Sequence, residues 1–108
     1  MTFEEYSKQA IGTAVYPATM RVIYPTLGLT GEAGEVAEKV KKLYRDQNGV
    51  LNAEVVQNIK LELGDVLWYI NAMCRDLGLT LEEVAQANIE KLSSRAQRGQ
   101  IHGNGDKR

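Results

Sequence analysis

Several sequence features that would indicate a specialised class of protein are scarce or missing in this sequence. Cys74 is the one cysteine, so no disulfide can form within the chain, and a reducing, cytoplasmic compartment is favoured. No apolar run approaches the ~20 residues of a membrane-spanning helix. Residues 1–5 lack the basic start and the apolar stretch of a signal peptide. We therefore expect a cytoplasmic protein without a membrane partner.

An excess of charge of one sign is also missing. The sequence has 13 basic and 14 acidic residues and a net charge of −1, whereas a protein that wraps nucleic acid normally has a clearly basic surface. Hydrophobic residues make up 44% and charged residues 25% of the 108 positions. This balance is typical of a globular chain and excludes a disordered or collagen-like one. We expect one globular domain that does not bind nucleic acid.

Strand-like alternation is absent as well, and helix signals take its place. Thr2 with Glu5 and Thr80 with Glu83 have the spacing of capping boxes, which begin helices. The apolar spacing predicts four helices, over residues 2–14, 26–46, 53–77 and 80–96. Short connections make neighbouring helices antiparallel. The predicted fold is an all-α, antiparallel four-helix bundle-like domain over 1–98, assembled as an oligomer, with a flexible, glycine-rich tail over 99–108.

Acidic residues recur at matching positions on the second and third predicted helices. Glu32 and Glu35 are three residues apart, as are Glu62 and Asp65, so each pair shares one helix face. If the two helices form a hairpin, the two pairs differ in height by only about 4–5 Å. All four carboxylates are then expected to converge. Like charges about 4 Å apart repel by roughly 4 kcal/mol at an effective dielectric of 20, so a cation must neutralise them.

The ligand types narrow the choice of that cation. Carboxylate oxygens without histidine or cysteine favour Mg²⁺, or Mn²⁺ as a substitute, over zinc. His102 is the only histidine and lies in the tail, which argues against a di-iron site with the Glu-x-x-His signature. The acids can also be interpreted as a solvated charged face with pairs such as Glu35 with Lys39 and Glu38 with Lys42.

Around these acids the sequence resembles the all-α nucleoside triphosphate pyrophosphohydrolases, the MazG-like group. The similar segments are residues 27–38, residues 62–69, and Asn88, Lys91 and Arg95 on the fourth helix. The resemblance implies Mg²⁺-dependent cleavage of a nucleoside or deoxynucleoside triphosphate between its α- and β-phosphates. The products would be a monophosphate and pyrophosphate, and the biological role would be cleansing of the nucleotide pool.

The resemblance also implies roles for individual residues. The metal would be held by Glu32, Glu35, Glu62 and Asp65, and the substrate by Asn88, Lys91, Arg95 and Trp68. One departure concerns Gly31, because relatives often have there a glutamate that can serve as the general base. Three candidates for the activation of water therefore stay open: Glu35, Glu38, and the metal alone.

The aromatic residues, the glycines and the assembly each allow more than one interpretation. Trp68 can stack on a nucleobase or belong to the core, and Tyr69 is a similar candidate. Gly28, Gly31 and Gly34 recur every three residues on the second helix, which predicts either close approach by another backbone or by substrate, or tight helix packing. We expect a homodimer or homotetramer. The rival functions are a phosphoribosyl-ATP pyrophosphatase-like enzyme and a non-catalytic helical oligomerisation or regulatory module.

Overall fold

The computed structural model describes residues 1–108 and contains helices but no strands. The helices are α1 (Phe3–Ile11), α2 (Ile23–Asp46), α3 (Ala53–Asp76) and α4 (Leu81–Gln97), with a short 3-10 turn over Ala18–Met20. The prediction of an all-α fold with four main helices is confirmed. None of these helices combines the length and the apolar character that a membrane-spanning helix needs.

The threonines of the two predicted capping boxes, Thr2 and Thr80, are helix N-caps at the expected positions. The Thr2 hydroxyl accepts a hydrogen bond from the Glu5 backbone N–H at 3.1 Å, and the Thr80 hydroxyl accepts one from Glu83 at 3.0 Å. Gly78 follows the end of α3 with a φ of +71°, a conformation that glycine adopts at little cost. These boundaries are predictable because neighbouring residues alone determine them.

Two helix boundaries differ from the prediction by three residues. α1 already ends at Ile11, and Gly12 is its C-cap. α2 begins at Ile23 instead of Thr26, so that Pro25 lies inside its first turn. Proline is tolerated there because the first backbone N–H groups of a helix have no acceptor within the helix.

A tertiary contact explains why α2 begins early. Val22 precedes the helix with a φ of +67° and no side-chain cap. The Asp76 Oδ2 atom, at the end of α3, accepts hydrogen bonds from the Val22 backbone N–H and from the Tyr16 hydroxyl, both at 2.9 Å. The Tyr16 ring stacks on Tyr24 with 4.8 Å between the ring centroids. The start of α2 is therefore fixed by a residue distant in sequence.

The hairpin of α2 and α3 is the main body of the chain, and α1 packs against α3 and α4. The Trp68 indole N–H donates to the Ala10 carbonyl at 3.1 Å, and the Asn71 amide donates to the Ser7 carbonyl at 3.2 Å, so two α3 side chains hold α1 in place. Cys74 is buried and free, as an inert core thiol would be. The buried apolar core is small: Ala10, Leu43, Ala72, Cys74 and Leu81.

Much apolar surface stays uncovered in a single chain. On α4, Val84, Ile89 and Leu92 are between 41% and 58% exposed. Their exposure follows from the open arrangement, because the radius of gyration is 16.8 Å, whereas a compact chain of this length has about 13 Å. The segment after α4, residues 99–108, folds back on that helix. It accepts hydrogen bonds from Arg95 in the last turn of α4 and from Arg98, the C-cap residue. Its flexibility stays a prediction.

Candidate active site

Three acidic side chains meet on the α2–α3 hairpin. Glu32 lies on α2, and Glu62 and Asp65 lie one turn apart on α3. Their carboxylate oxygens lie within 4.8 Å of one another, with Glu32 and Glu62 half-buried and Asp65 exposed. The i, i+3 spacing and the matching height across the hairpin produce this convergence. The arrangement can hold a divalent cation.

The electrostatics of this carboxylate cluster (Glu32, Glu62 and Asp65) fit such a cation. Burial raises the pKa of Glu32, and the negative charges of Asp65, Glu62 and Glu35 raise it further. A raised pKa means that the charged form is disfavoured until a positive charge arrives. The donor set consists of hard oxygen atoms, which suit Mg²⁺ or Mn²⁺.

Two further acids of α2 lie outside the carboxylate cluster. Glu35 is exposed, and its charge acts on Glu32, but its carboxylate is not among the three that meet. Glu38 forms an ion pair with Lys41 at 2.8 Å. The hydrogen bond from Lys41, together with the charge of that lysine, lowers the pKa of Glu38. A carboxylate with a lowered pKa is a weaker general base.

The expected pairs along α2 take a different form in the structure. Lys39 reaches across the hairpin to Glu62, with 3.9 Å between the ammonium and the carboxylate, instead of pairing with Glu35. Lys41, rather than Lys42, is the partner of Glu38. The Lys39 ammonium thus offsets part of the negative charge of the carboxylate cluster from its side facing the α2–α3 turn.

An open cavity of about 300 Å³ adjoins the carboxylate cluster and is lined by Glu32, Asp65, Trp68 and Tyr69. The two aromatic rings meet edge to face, with 4.9 Å between their centroids. Because the Trp68 indole N–H is already bonded to α1, its ring is held in one orientation. One wall of the cavity is therefore acidic and the other aromatic.

Gly28 allows Tyr69 to lie against α2. A Cβ atom at position 28 would be 2.1 Å from the Tyr69 Cε1 atom, far inside van der Waals contact. Of the interpretations that the glycine spacing allows, tight helix packing is the one found at this glycine. At Gly31 and Gly34 an added Cβ would meet no atom within 4 Å. The contact at Gly28 is with an aromatic side chain, so neither a backbone nor a substrate explains it.

Tyr6 of α1 is a neighbour of the site that the sequence patterns do not reveal. Burial raises the pKa of its hydroxyl, and the nearby charge of Asp65 raises it further. The signal is absent from the sequence because it depends on how α1 packs on α3. The amphipathic spacing of α1 predicts which face of the helix is buried, but it does not predict that Tyr6 lies near Asp65.

The polar residues of α4 do not meet the carboxylate cluster within one chain. Asn88 is exposed. Lys91 forms an ion pair with Asp106 at 3.1 Å, and the Arg95 side chain donates to the Asp106 carbonyl at 2.9 Å. Neither cation forms an ion pair with an acid of α2 or α3. Their expected role in holding phosphate stays a prediction.

Comparison with known proteins adds to this geometry. Residues 25–99 match the sequence profile of the MazG nucleotide pyrophosphohydrolase domain. The chain is 43% identical to the "Gene 37 protein" of Mycobacterium phage L5 over an alignment of 114 residues that covers the whole of both proteins. That name states no activity. No solved structure matches the sequence. The matched range includes the carboxylate cluster, the aromatic wall and the polar residues of α4.

Proposed function

We propose that this chain, which belongs to the MazG nucleotide pyrophosphohydrolase family, hydrolyses a nucleoside or deoxynucleoside triphosphate to the monophosphate and pyrophosphate. The observation that carries the proposal is the meeting of three carboxylates, within 4.8 Å, beside an aromatic-lined cavity. We further propose a role in cleansing the nucleotide pool of the cytoplasm.

The proposed cofactor is Mg²⁺, with Mn²⁺ as a substitute. Glu32, Glu62 and Asp65 would hold it, and Glu35 is the proposed fourth ligand because its charge already acts on Glu32. When bound, the metal would neutralise the carboxylates, offset the charge of the triphosphate and lower the pKa of water. Without it, a cluster of acids would repel a polyanionic substrate.

The remaining roles fall to the chain's own residues. Trp68 is the proposed stacking surface for the base, because its ring borders the cavity in a fixed orientation. Asn88, Lys91 and Arg95 are proposed to bind phosphate oxygens, since they are spaced three and four apart on one helix face. Neither candidate carboxylate is favoured as the general base, because Glu38 is paired with Lys41, Glu35 would be paired with the metal, and a neighbouring cation makes a carboxylate a weaker base. Water activated by the metal alone is the third candidate.

We also propose that the active protein is a homodimer or homotetramer. The accessible surface of one chain is 7884 Å², whereas a compact monomer of 12.0 kDa exposes about 6,000 Å². The difference exceeds the ~800 Å² that each partner commonly buries in a stable interface. Lys91 and Arg95 do not meet the carboxylate cluster within one chain. An assembly that lays α4 of one copy over the α2–α3 hairpin of another would bring them together.

The test is turnover of a panel of triphosphates by wild type and two variants. The panel contains the common ribo- and deoxyribonucleoside triphosphates and phosphoribosyl-ATP, each with Mg²⁺. Asp65→Asn should lower kcat/KM for the preferred substrate by more than about 100-fold, since even outer-shell changes at metal sites cost 10–100-fold. Glu54→Gln, an exposed acid of the same helix, is the matched control and should keep activity. Equal activity of both variants would refute the site.

A further inference from the structure

The C-terminal segment, residues 99–108, contacts two cations of α4, Lys91 and Arg95. The Arg95 guanidinium donates to the carbonyls of Gly105 at 3.3 Å and Asp106 at 2.9 Å. The Asp106 carboxylate also forms ion pairs with Lys91 at 3.1 Å and Arg95 at 3.5 Å. One acidic residue of the C-terminal segment thus contacts both cations proposed to bind phosphate.

This segment is itself a folded loop. The Arg108 guanidinium donates to the carbonyls of Gln100, Ile101 and Gly105, at distances of 2.9, 2.9 and 2.6 Å. Gly103 makes room for that side chain, because a Cβ atom there would be 2.8 Å from the Arg108 Cδ atom. Bonds within the loop do not depend on α4. Besides the Arg95 contacts, the guanidinium of Arg98, the C-cap residue of α4, donates to the Arg108 carbonyl at 2.7 Å. Movement of the loop away from α4 must break that bond as well, while the three Arg108 bonds within the loop can stay formed.

Burial and charge at this contact resemble an occupied anion site. The Arg95 side chain is 6% exposed, whereas the Asp106 side chain is 85% exposed. The buried Arg95 Nε atom has no hydrogen-bond partner, so the guanidinium keeps an unused donor. The hydrogen bond and charge of Lys91, followed by those of Arg95, lower the pKa of Asp106 and keep its carboxylate ionised. A phosphate oxygen could satisfy the same donors.

We propose that the C-terminal loop is an internal competitor of the substrate, in which Asp106 occupies Lys91 and Arg95 until a polyphosphate displaces it. The inference rests on the proposed function, in which these two cations bind phosphate. Arg95 is covered while the loop is in place, so it can bind a phosphate only when the loop moves away. The ion pair of Lys91 with Asp106, whose side chains are 39% and 85% exposed, contributes little stability. A polyphosphate offers more charge and more acceptor atoms to the same donors.

The first test measures binding of inorganic tripolyphosphate to the full chain without metal, by calorimetry. Asp106→Asn removes the competing charge and should tighten binding by up to about fivefold, the upper limit for an exposed ion pair. Asp46→Asn is the matched control, because Asp46 is an exposed aspartate paired with Arg45 at 2.7 Å. It should leave the affinity unchanged. Adding Lys91→Ala to Asp106→Asn should abolish the gain.

The second test needs no variant. Amide hydrogen exchange of residues 99–108 in the wild-type chain should become faster when tripolyphosphate is added. Slower exchange would mean that the loop helps to bind the ligand, and it would overturn the proposal. Equal or weaker binding of tripolyphosphate by Asp106→Asn would overturn it as well.

Turnover separates a failure of this inference from a failure of the proposed function. If no triphosphate is hydrolysed, the proposed function fails, while the tripolyphosphate measurements still decide the role of the loop. If hydrolysis occurs, Asp106→Asn should lower KM by a similar factor of up to about five. An unchanged or raised KM would overturn the loop's role and leave the enzymatic function standing.

Discussion

Replacing Gly28 with alanine tests the packing of the aromatic wall against α2. The new Cβ atom would lie 2.1 Å from Tyr69 Cε1 and 2.4 Å from two further ring atoms. The ring must withdraw by more than about 1 Å, and such overpacking typically costs about 1–3 kcal/mol. Alanine in place of glycine gains about 1 kcal/mol of helix propensity. Overpacking therefore cancels or exceeds the gain.

Gly31→Ala is the matched control on the same helix, since its added Cβ meets no atom within 4 Å. It should raise the free energy of unfolding by about 1 kcal/mol. Gly28→Ala should be about 1–3 kcal/mol less stable than Gly31→Ala. Urea denaturation at pH 7.5 in metal-free buffer measures both values.

A double-mutant cycle shows whether Tyr69 is the cause. In a Tyr69→Ala background the clash is gone, so Gly28→Ala should regain the roughly 1 kcal/mol of helix propensity. Equal stability of Gly28→Ala and Gly31→Ala in the wild-type background would refute the assigned contact. So would a cycle in which the two substitutions at positions 28 and 69 are additive.

Three further predictions concern the metal, pH and assembly. Asp65→Asn should make the metal-free protein equally stable or up to about 1 kcal/mol more stable. Mg²⁺ should raise the melting temperature of wild type, and Asp65→Asn should abolish that rise. A clear loss of metal-free stability would instead indicate structural ion pairs. Burial and the hydrogen bond to Asp76 raise the pKa of Tyr16 to about 12. The difference in free energy of unfolding between wild type and Tyr16→Phe should therefore be largest below pH 10 and decline as pH rises towards 12. Urea titrations across this range measure it, and a constant difference would contradict the assigned hydrogen bond. Light scattering at micromolar concentration should give at least the mass of a dimer, and a monomer mass would refute the proposed assembly.

Local signals in the sequence account for most of the helix boundaries. Thr2 and Thr80 begin helices through hydrogen bonds to residues three positions later, which a sequence pattern contains in full. The early start of α2 is not predictable in this way, because Asp76, more than 50 residues away, binds the backbone of Val22. A positive φ at a valine has no local cause that a sequence pattern could reveal.

In the candidate site, too, the contacts set by helical spacing are predictable from the sequence and those set by tertiary folding are not. The meeting of Glu32, Glu62 and Asp65 is predictable because helical spacing and one hairpin turn determine it. Their union with Glu35 in one site stays a prediction. The contacts of Lys91 and Arg95 with the C-terminal loop are not predictable, because Asp106 reaches them only after the loop folds back. Patterns within helices carry no information on such contacts.

The most direct test of the proposed function is to identify which bond of the triphosphate is cleaved. Phosphorus NMR of the preferred triphosphate, incubated with the wild-type protein and Mg²⁺, reads the broken bond directly. Cleavage between the α- and β-phosphates predicts that monophosphate and pyrophosphate appear in equal amounts, and that neither appears when Mg²⁺ is removed. Formation of diphosphate and orthophosphate would contradict the proposal, because the β–γ bond would then be the one cleaved.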